Sequence, residues 1–423
     1  MKRVLLCLFL ALALTACGQG APGADSSGQQ PAPQAVQLHN KTAGGSAPDE
    51  GAPAVQPNPP PPPTPTPTPE PLITQAELQQ AVEQAKQNYG AMGIQAAVVQ
   101  NGQVIAQAAS GWAVEDQITL TTRHKMRCAS LTKVMVGISA GVLIDDGTLD
   151  PYADLSDYWG VTVRNPSYPG TPITVDMLLT HTSTLSDASG SLSALKGSNA
   201  RQRLAGSGYY GAKPGALSSW TYNNYGFSVL GMTLELAADR VLDDVLGDAV
   251  LTPMGIDAAF EAGSVDDTGL LCALYQGGSL SRSISTQKGY VCIEDPGYRG
   301  NFFAGGFTCS AGEMAQLVAM LAEDGTYQGQ QYLTPETVAY LEKPLGQTSG
   351  GFSQCRPLRY RENMYGRDRI YYHTGSAYGF YGLLSYDPDT GDGVVVFTTG
   401  ASGAKDNYGV YSVCSQVAKA VYG

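Results

Sequence analysis

The chain opens on an apolar run at 4–14 and then carries almost no large apolar residue until about position 73. Helical periodicity begins at Thr74-Gln75-Ala76-Glu77, which reads as a capping box. Leu78, Ala81, Val82, Ala85 and Tyr89 follow at helical spacing, and Gly90 stops the pattern. Two strand-like runs, 94–100 and 103–109, flank Asn101-Gly102, a strong hairpin signal. A long, proline-free apolar run from Val134 to Ile144 predicts a buried helix. The stretch from about 150 to 300 mixes helical segments near 175–179 and 225–238 with Gly/Ser-rich loops. Toward the end, 369–374 and 380–386 read as strands. A third at 394–399 follows a Pro-Asp-Thr-Gly turn, and a helix at about 408–421 closes the chain. The simplest assembly is an α+β fold, an α/β sandwich. An antiparallel sheet of five or more strands is flanked by N- and C-terminal helices, with a mainly helical subdomain inserted at about 150–300.

The ends change this picture. Lys2 and Arg3 before the apolar run mark a targeting segment over 1–17. Leu14-Thr15-Ala16-Cys17 resembles a bacterial lipobox, which implies cleavage before Cys17 and lipidation of its sulfur. The run is too short to span a bilayer, which takes about 20 residues. Residues 18–73 are rich in Gly, Ala, Ser, Gln and Pro, and cannot bury a core. Ten of the fifteen residues at 57–71 are proline. Such a run favours polyproline II at about 3.1 Å per residue, a stalk on the order of 45 Å long. The expected organisation is therefore a leader (1–17), a disordered stalk (18–73) and one globular domain (74–423). The domain is expected to be exported and lipid-anchored to the outer face of a bacterial membrane.

A net charge of −12 argues against a nucleic-acid partner. Six of the eight cysteines fall in the domain: Cys128, Cys272, Cys292, Cys309, Cys355 and Cys414. Export permits disulfides. The preferred pair is Cys272 with Cys292, which closes a short loop, and Cys128 is expected as a buried free thiol. No Cys/His spacing suits zinc, so neither metal nor cofactor is expected.

Ser130-Leu131-Thr132-Lys133 carries the candidate chemistry. Residues three apart share a helix face, so a Lys can help to remove the serine proton without a His partner. The S-x-x-K pattern recurs at Ser193/Lys196, Ser285/Lys288 and Ser402/Lys405, but only Ser130 opens a long apolar helix. Two further clusters follow in order: Tyr222-Asn223-Asn224 before an apolar helix, and His373-Thr374-Gly375-Ser376 at the end of an aromatic strand.

In these three motifs the chain resembles the serine β-lactamase and penicillin-binding superfamily, in its class C β-lactamase and D,D-carboxypeptidase-like branch. Leu178-Leu179-Thr180-His181-Thr182-Ser183 is similar to that branch's LLTHTSG segment, with Thr184 where Gly is usual. Pro214-Gly215, Leu251-Thr252-Pro253-Met254-Gly255-Ile256 and Ala304-Gly305-Gly306 agree as well. The resemblance covers roughly 76–422. It implies Ser130 as the acylated nucleophile, Lys133 and Tyr222 as proton acceptors and donors, and Asn224 as a partner of substrate and Lys133. It further implies a substrate-aligning strand at His373, Thr374 and Gly375, and an oxyanion hole from the N–H groups of Ser130 and Ser376. His181 is expected to be structural, and His39, in the stalk, inert.

One departure bears on substrate. His373 stands where many β-lactamases have Lys, and an imidazole is not a permanent cation at neutral pH. The reading therefore favours a D-alanyl-D-alanine carboxypeptidase-like peptidase or esterase over a β-lactamase, with Arg367 or Arg369 as the compensating charge. A non-catalytic binding lipoprotein of the same fold is the third alternative. The expected substrate is a small peptide, ester or β-lactam, acted on by a monomer.

Overall fold

The computed structural model describes residues 70–187 and 196–423. The leader, Cys17, Ser193 and nearly all of the stalk lie outside the described residues. Helix α1 (Gln75–Tyr89) has the capping box: Thr74 Oγ1 accepts from the Glu77 N–H, and the Glu77 carboxylate accepts from the Thr74 N–H. Gly90, at φ 63°, ends it. The hairpin follows as β1 (Gly93–Gln100) and β2 (Gln103–Val114), with β3 (Ile118–Thr119) added to its outer side. After β4 (Met126–Arg127) a 3₁₀ turn, Ala129–Leu131, leads into α2 (Thr132–Asp145). The inserted region holds α3 (Leu155–Trp159), α4 (Val175–Leu179), α5 (Gly197–Leu204), α6 (Asn224–Ala238) and α7 (Leu242–Leu246). It ends in the hairpin of β5 (Leu274–Gln276) and β6 (Ser279–Arg282) and in α8 (Ile284–Lys288).

The chain then returns to the sheet. Strand β7 (Thr308–Cys309) pairs with β4, α9 (Ala311–Ala322) follows, and β8 (Thr326–Tyr327) pairs with β9 (Gln330–Gln331). Helix α10 (Pro335–Glu342) precedes β10 (Gly346–Gln347), β11 (Ser353–Gln354), β12 (Arg359–Met364), β13 (Arg367–Ala377), β14 (Phe380–Asp387) and β15 (Asp392–Thr399). Helix α11 (Ser412–Tyr422) closes the chain. The main sheet has nine strands in the order β10-β11-β12-β13-β14-β15-β1-β2-β3, antiparallel throughout.

The apolar runs of β1 and β15 are continuous because both faces of the sheet are covered. Side chains alternate across a strand. Ile94, Ala96 and Val98 of β1, with Val394 and Val396 of β15, pack under α1 and α11. Ala97, Val99, Val395 and Phe397 face the larger core with α9 and α2. The inserted helices share that core; Trp159 in α3 donates to Thr233 Oγ1 of α6 at 2.9 Å. The expected α+β sandwich is present, with more strands than the sequence reading assigned. Strands β10, β11 and β12 were not foreseen, because they are short and carry polar residues on an exposed edge.

All six domain cysteines are free, so the expected Cys272–Cys292 bridge is absent. Cys272 lies in the large core, its N–H donating to Lys125 O and its carbonyl accepting from Gln287. Cys292 sits beside the carboxylates of Asp243 and Glu261, with its N–H on Ser264 Oγ.

Thr132 ties α2 to the strand layer. Its buried hydroxyl donates to Ala129 O at 2.6 Å and accepts from the Phe307 N–H at 3.0 Å. Thr132→Val keeps the shape and strands that N–H, so we expect a loss of about 1–3 kcal/mol. The urea midpoint measures it, and an unchanged midpoint would contradict the assignment.

Candidate active site

Ser130 sits in the 3₁₀ turn rather than at the first residues of the long helix, and no side chain caps that turn. Ala129 before it has φ 47°, a left-handed conformation that costs a residue with a Cβ energy. The turn is held from both sides. The Cys128 N–H donates to Phe307 O at 2.7 Å, and Thr132 holds Ala129 O. Thr184, the residue in the place of the usual Gly, also has φ 64°, and its hydroxyl accepts from Asn165 Nδ2 at 2.9 Å.

One turn on, Lys133 is fully buried. Its Nζ donates to Ala304 O at 2.7 Å, to Asn224 Oδ1 at 2.9 Å and to Ser130 Oγ at 3.3 Å. Among the described residues no carboxylate pairs with it. Aromatic faces complete its surroundings, with the Tyr222 ring centroid at 5.0 Å and that of Phe227 at 5.5 Å. Burial alone would raise the Tyr222 phenol. The charges of Lys133 and Arg359, and hydrogen bonds to Ser130 and Lys133, outweigh burial and bring it below its usual range.

Asn224 is the first residue of α6, whose N-cap Asn223 accepts from the Gly226 N–H. Asp187 fixes its amide: the carboxylate accepts from Asn224 N and Nδ2 at 3.2 Å each, and from Tyr225 N at 2.7 Å. With its NH₂ held there, Asn224 turns its oxygen to Lys133. No sequence motif pointed to Asp187, because the link between a loop and a helix start 37 positions away is visible only in three dimensions.

Strand β13 brings in the third motif. Gly375 faces the Ser130 turn, where a Cβ would come within 2.7 Å of Cys128 O. Only glycine lets the strand lie that close. His373, two residues earlier on the same face, is buried, and its Nδ1–H donates to Thr374 O at 2.9 Å. Its ring centroid lies 6.5 Å from that of Tyr222, and the His181 ring lies 4.6 Å from Tyr222, both at a tilt. Nδ1 of His181 accepts from the Asn223 N–H at 3.2 Å. Burial first, then nearby cations, push both imidazoles well below the ordinary histidine range. Both are therefore neutral at pH 7, and neither lines the cavity.

That cavity, of about 550 Å³, is lined by Ser130, Tyr222 and Asn224, and by Thr374 and Ser376 from the other face of β13. No Asp or Glu lines it among the described residues. Arg127 stands at one side, its Nε donating to Gly305 O at 2.8 Å and its guanidinium within 5.7 Å of the Tyr290, Phe302 and Tyr378 rings. Arg359 also lines the cavity, and its Nη1 donates to Thr374 Oγ1 at 3.1 Å. Strand β12 ends its pairing with Arg359 opposite Tyr372. Residues 373–377 are therefore paired on one side only, with β14, which leaves a free strand edge.

Arg367 and Arg369 are not at the site, contrary to expectation. Arg367 pairs with Asp387 and Asp392, and Arg369 with Asp389. Arg367 is six residues before His373, which along a strand is about 20 Å. The Tyr365-Gly366 turn, with Arg-Tyr-Arg before it, is the signal for the cation that does line the cavity: a hairpin folds Arg359 back opposite Tyr372, beside His373.

Comparison with known proteins shows what the chain is similar to. Residues 78–411 match the Beta-lactamase family. The D-alanyl-D-alanine-carboxypeptidase/endopeptidase AmpH of Escherichia coli K12 is 24% identical over 323 residues, covering 73% of this chain and 80% of that protein. Two solved structures share the fold. A Beta-lactamase/D-alanine Carboxypeptidase from Yersinia pestis, complexed with citrate, has TM-score 0.64 and 20% identity, covering 82% of this chain and 97% of that one. A class C beta lactamase from Rhodobacter sphaeroides has TM-score 0.64 and 18% identity, covering 82% and 98%.

The neutral state of His373 has a measurable signature. An unfolded His takes up a proton near pH 6.5, whereas the folded one does so well below. Above pH 6.5 the two states bind equally. Below it the native state loses stability, by up to about 1.4 kcal/mol per pH unit. His373→Asn removes that loss, so the variant should gain on the wild type as pH falls from 6.5. Unfolding free energies that keep a constant difference across this range would contradict it.

Proposed function

The chain belongs to the Beta-lactamase family, and on that basis we propose that it is a serine hydrolase that forms an acyl-enzyme on Ser130. The observation that carries the proposal is the contact of Ser130 Oγ with the buried Lys133, with the Tyr222 phenol beside both and Ser130 and Tyr222 at the wall of one cavity. Ser130 Oγ attacks a substrate carbonyl carbon, and its proton passes to the Tyr222–Lys133 pair. The same pair returns a proton to the leaving group as the carbonyl–leaving-group bond breaks. Water then cleaves the ester and regenerates Ser130. The N–H groups of Ser130 and Ser376 are the proposed oxyanion hole, a type of contact typically worth a few kcal/mol.

The substrate proposed is a peptide or ester ending in a carboxylate, in the manner of a D-alanyl-D-alanine carboxypeptidase. A neutral His373 cannot hold a substrate carboxylate by charge, and Arg359 can. The free edge at 373–377 suits an extended peptide, which would add to the sheet as a strand. The second N–H of Asn224 remains for the substrate amide. AmpH, a D-alanyl-D-alanine-carboxypeptidase/endopeptidase, and the Yersinia pestis Beta-lactamase/D-alanine Carboxypeptidase agree in kind. A leader at 1–17, lipidated Cys17 and the stalk at 18–73 would hold a catalytic domain of 74–423 outside the cell, where such peptides occur.

Incubation of the full chain with a labelled penicillin, followed by mass, separates the readings. A stable adduct on Ser130 is expected, and Ser130→Ala should abolish it. Rapid turnover would make the protein a β-lactamase, and labelling that survives in the Ala variant would sink the acylation site. Arg359→Gln should lower kcat/KM for a carboxylate-ended peptide by about 10–100-fold, the worth of one or two charge-assisted hydrogen bonds. A neutral ester should lose less, only what the weaker cationic field at Tyr222 costs. Equal losses on both would show that Arg359 acts through Tyr222 or the scaffold instead.

A further inference from the structure

Cys128 and Cys309 are both fully buried, and their sulfurs lie 3.6 Å apart. Cys309 lies in β7 and Cys128 directly follows β4: the two strands place Met126 opposite Cys309, and the Cys128 N–H bonds to Phe307 O. Cys272, Cys292, Cys355 and Cys414 show no such sulfur contact. A disulfide needs sulfurs at about 2.05 Å, so the gap to close is about 1.6 Å; the pair is diagonal in the register, so closure takes side-chain rotation and a shift of the two backbones toward each other. We propose that Cys128 and Cys309 are a disulfide site that clamps the Ser130 turn to the strand leading into α9.

Both ends of the proposed bond matter to the active site. Cys128 immediately precedes Ala129, whose left-handed backbone sets up the Ser130 turn, and its carbonyl packs on Gly375 of the substrate strand. Cys309 precedes Ser310, the N-cap of α9. The two cysteines are 181 positions apart, and the loop between them contains Lys133, Tyr222 and Asn224. A cross-link across such a loop restricts the unfolded chain strongly.

The chemistry is thiol–disulfide exchange. The two thiols give up two electrons and two protons, and the disulfide of the reagent takes them up as two thiols. Burial, and then the hydrogen bond with Cys128, push the Cys309 thiol well above its usual range, so exchange in the closed fold is slow. The bond therefore forms while the chain folds in an oxidising compartment, which the proposed export would supply. The proposal does not depend on which acyl group Ser130 accepts.

The test is peptide mapping of the full chain refolded with glutathione disulfide. After alkylation in denaturant and trypsin digestion, peptide 128–133 should appear linked to peptide 300–359, about 2 Da below their sum. Peptide 300–359 also holds Cys355, so the link should persist in Cys355→Ser and vanish in Cys309→Ser. The oxidised wild type should melt about 5–10 °C above the reduced protein. Alkylation of both Cys128 and Cys309 after oxidative refolding would overturn the proposal. So would a cross-link that survives in Cys309→Ser, or equal melting temperatures for the oxidised and reduced wild type.

Discussion

A lysine ammonium buried without a carboxylate is the constraint on which this site depends. Taking a charge out of water costs several kcal/mol unless polar groups replace the lost hydration. Lys133 meets that demand with a backbone carbonyl, an amide oxygen and a serine hydroxyl, and with two aromatic faces. Each partner comes from a different part of the chain. Ala304 lies just before β7, Asn224 begins α6, and Ser130 sits in the turn before α2. The cation thus draws the inserted helices and the strand layer onto one point. Pairing with a carboxylate would have satisfied the charge and left less of it to act on Ser130 and Tyr222.

Charge is distributed unevenly over the molecule. The chain as a whole is acidic, at −12, yet the cavity wall carries Arg127, Arg359 and Lys405 and no acid among the described residues. Such a patch concentrates anionic ligands locally against the overall field. Neutral His373 and His181 contribute shape instead of charge. Their rings pack near the Tyr222 ring, at 4.6 Å for His181 and 6.5 Å for His373.

Much of this was legible along the chain. The capping box at Thr74, the Asn101-Gly102 hairpin and the buried run after Lys133 are local signals, and local physics decides those elements. The order of Ser130, Tyr222 and His373 motifs identified residues that the fold brings to one cavity or its immediate wall. Three things were not legible. The short polar strands β10 to β12 have no apolar period, so Arg359 was passed over in favour of Arg367 and Arg369. Asp187 acts through a helix start that only the fold brings near. The cysteine pairing could not be read from loop length: Cys272 and Cys292 are close in sequence and unbridged, while Cys128 and Cys309 are far apart in sequence and in contact.

Whether Lys133 and Tyr222 work as one proton-accepting unit is the claim on which the chemistry turns. A double-mutant cycle measures it directly. The rate of Ser130 acylation by a neutral ester would be followed in Lys133→Ala, Tyr222→Phe and the combined variant, with the fold of each checked by circular dichroism. One shared unit predicts that the double variant is no slower than the slower single variant. Losses that multiply, so that the double variant falls by the product of the two, would mean that the residues act independently and would contradict the pair.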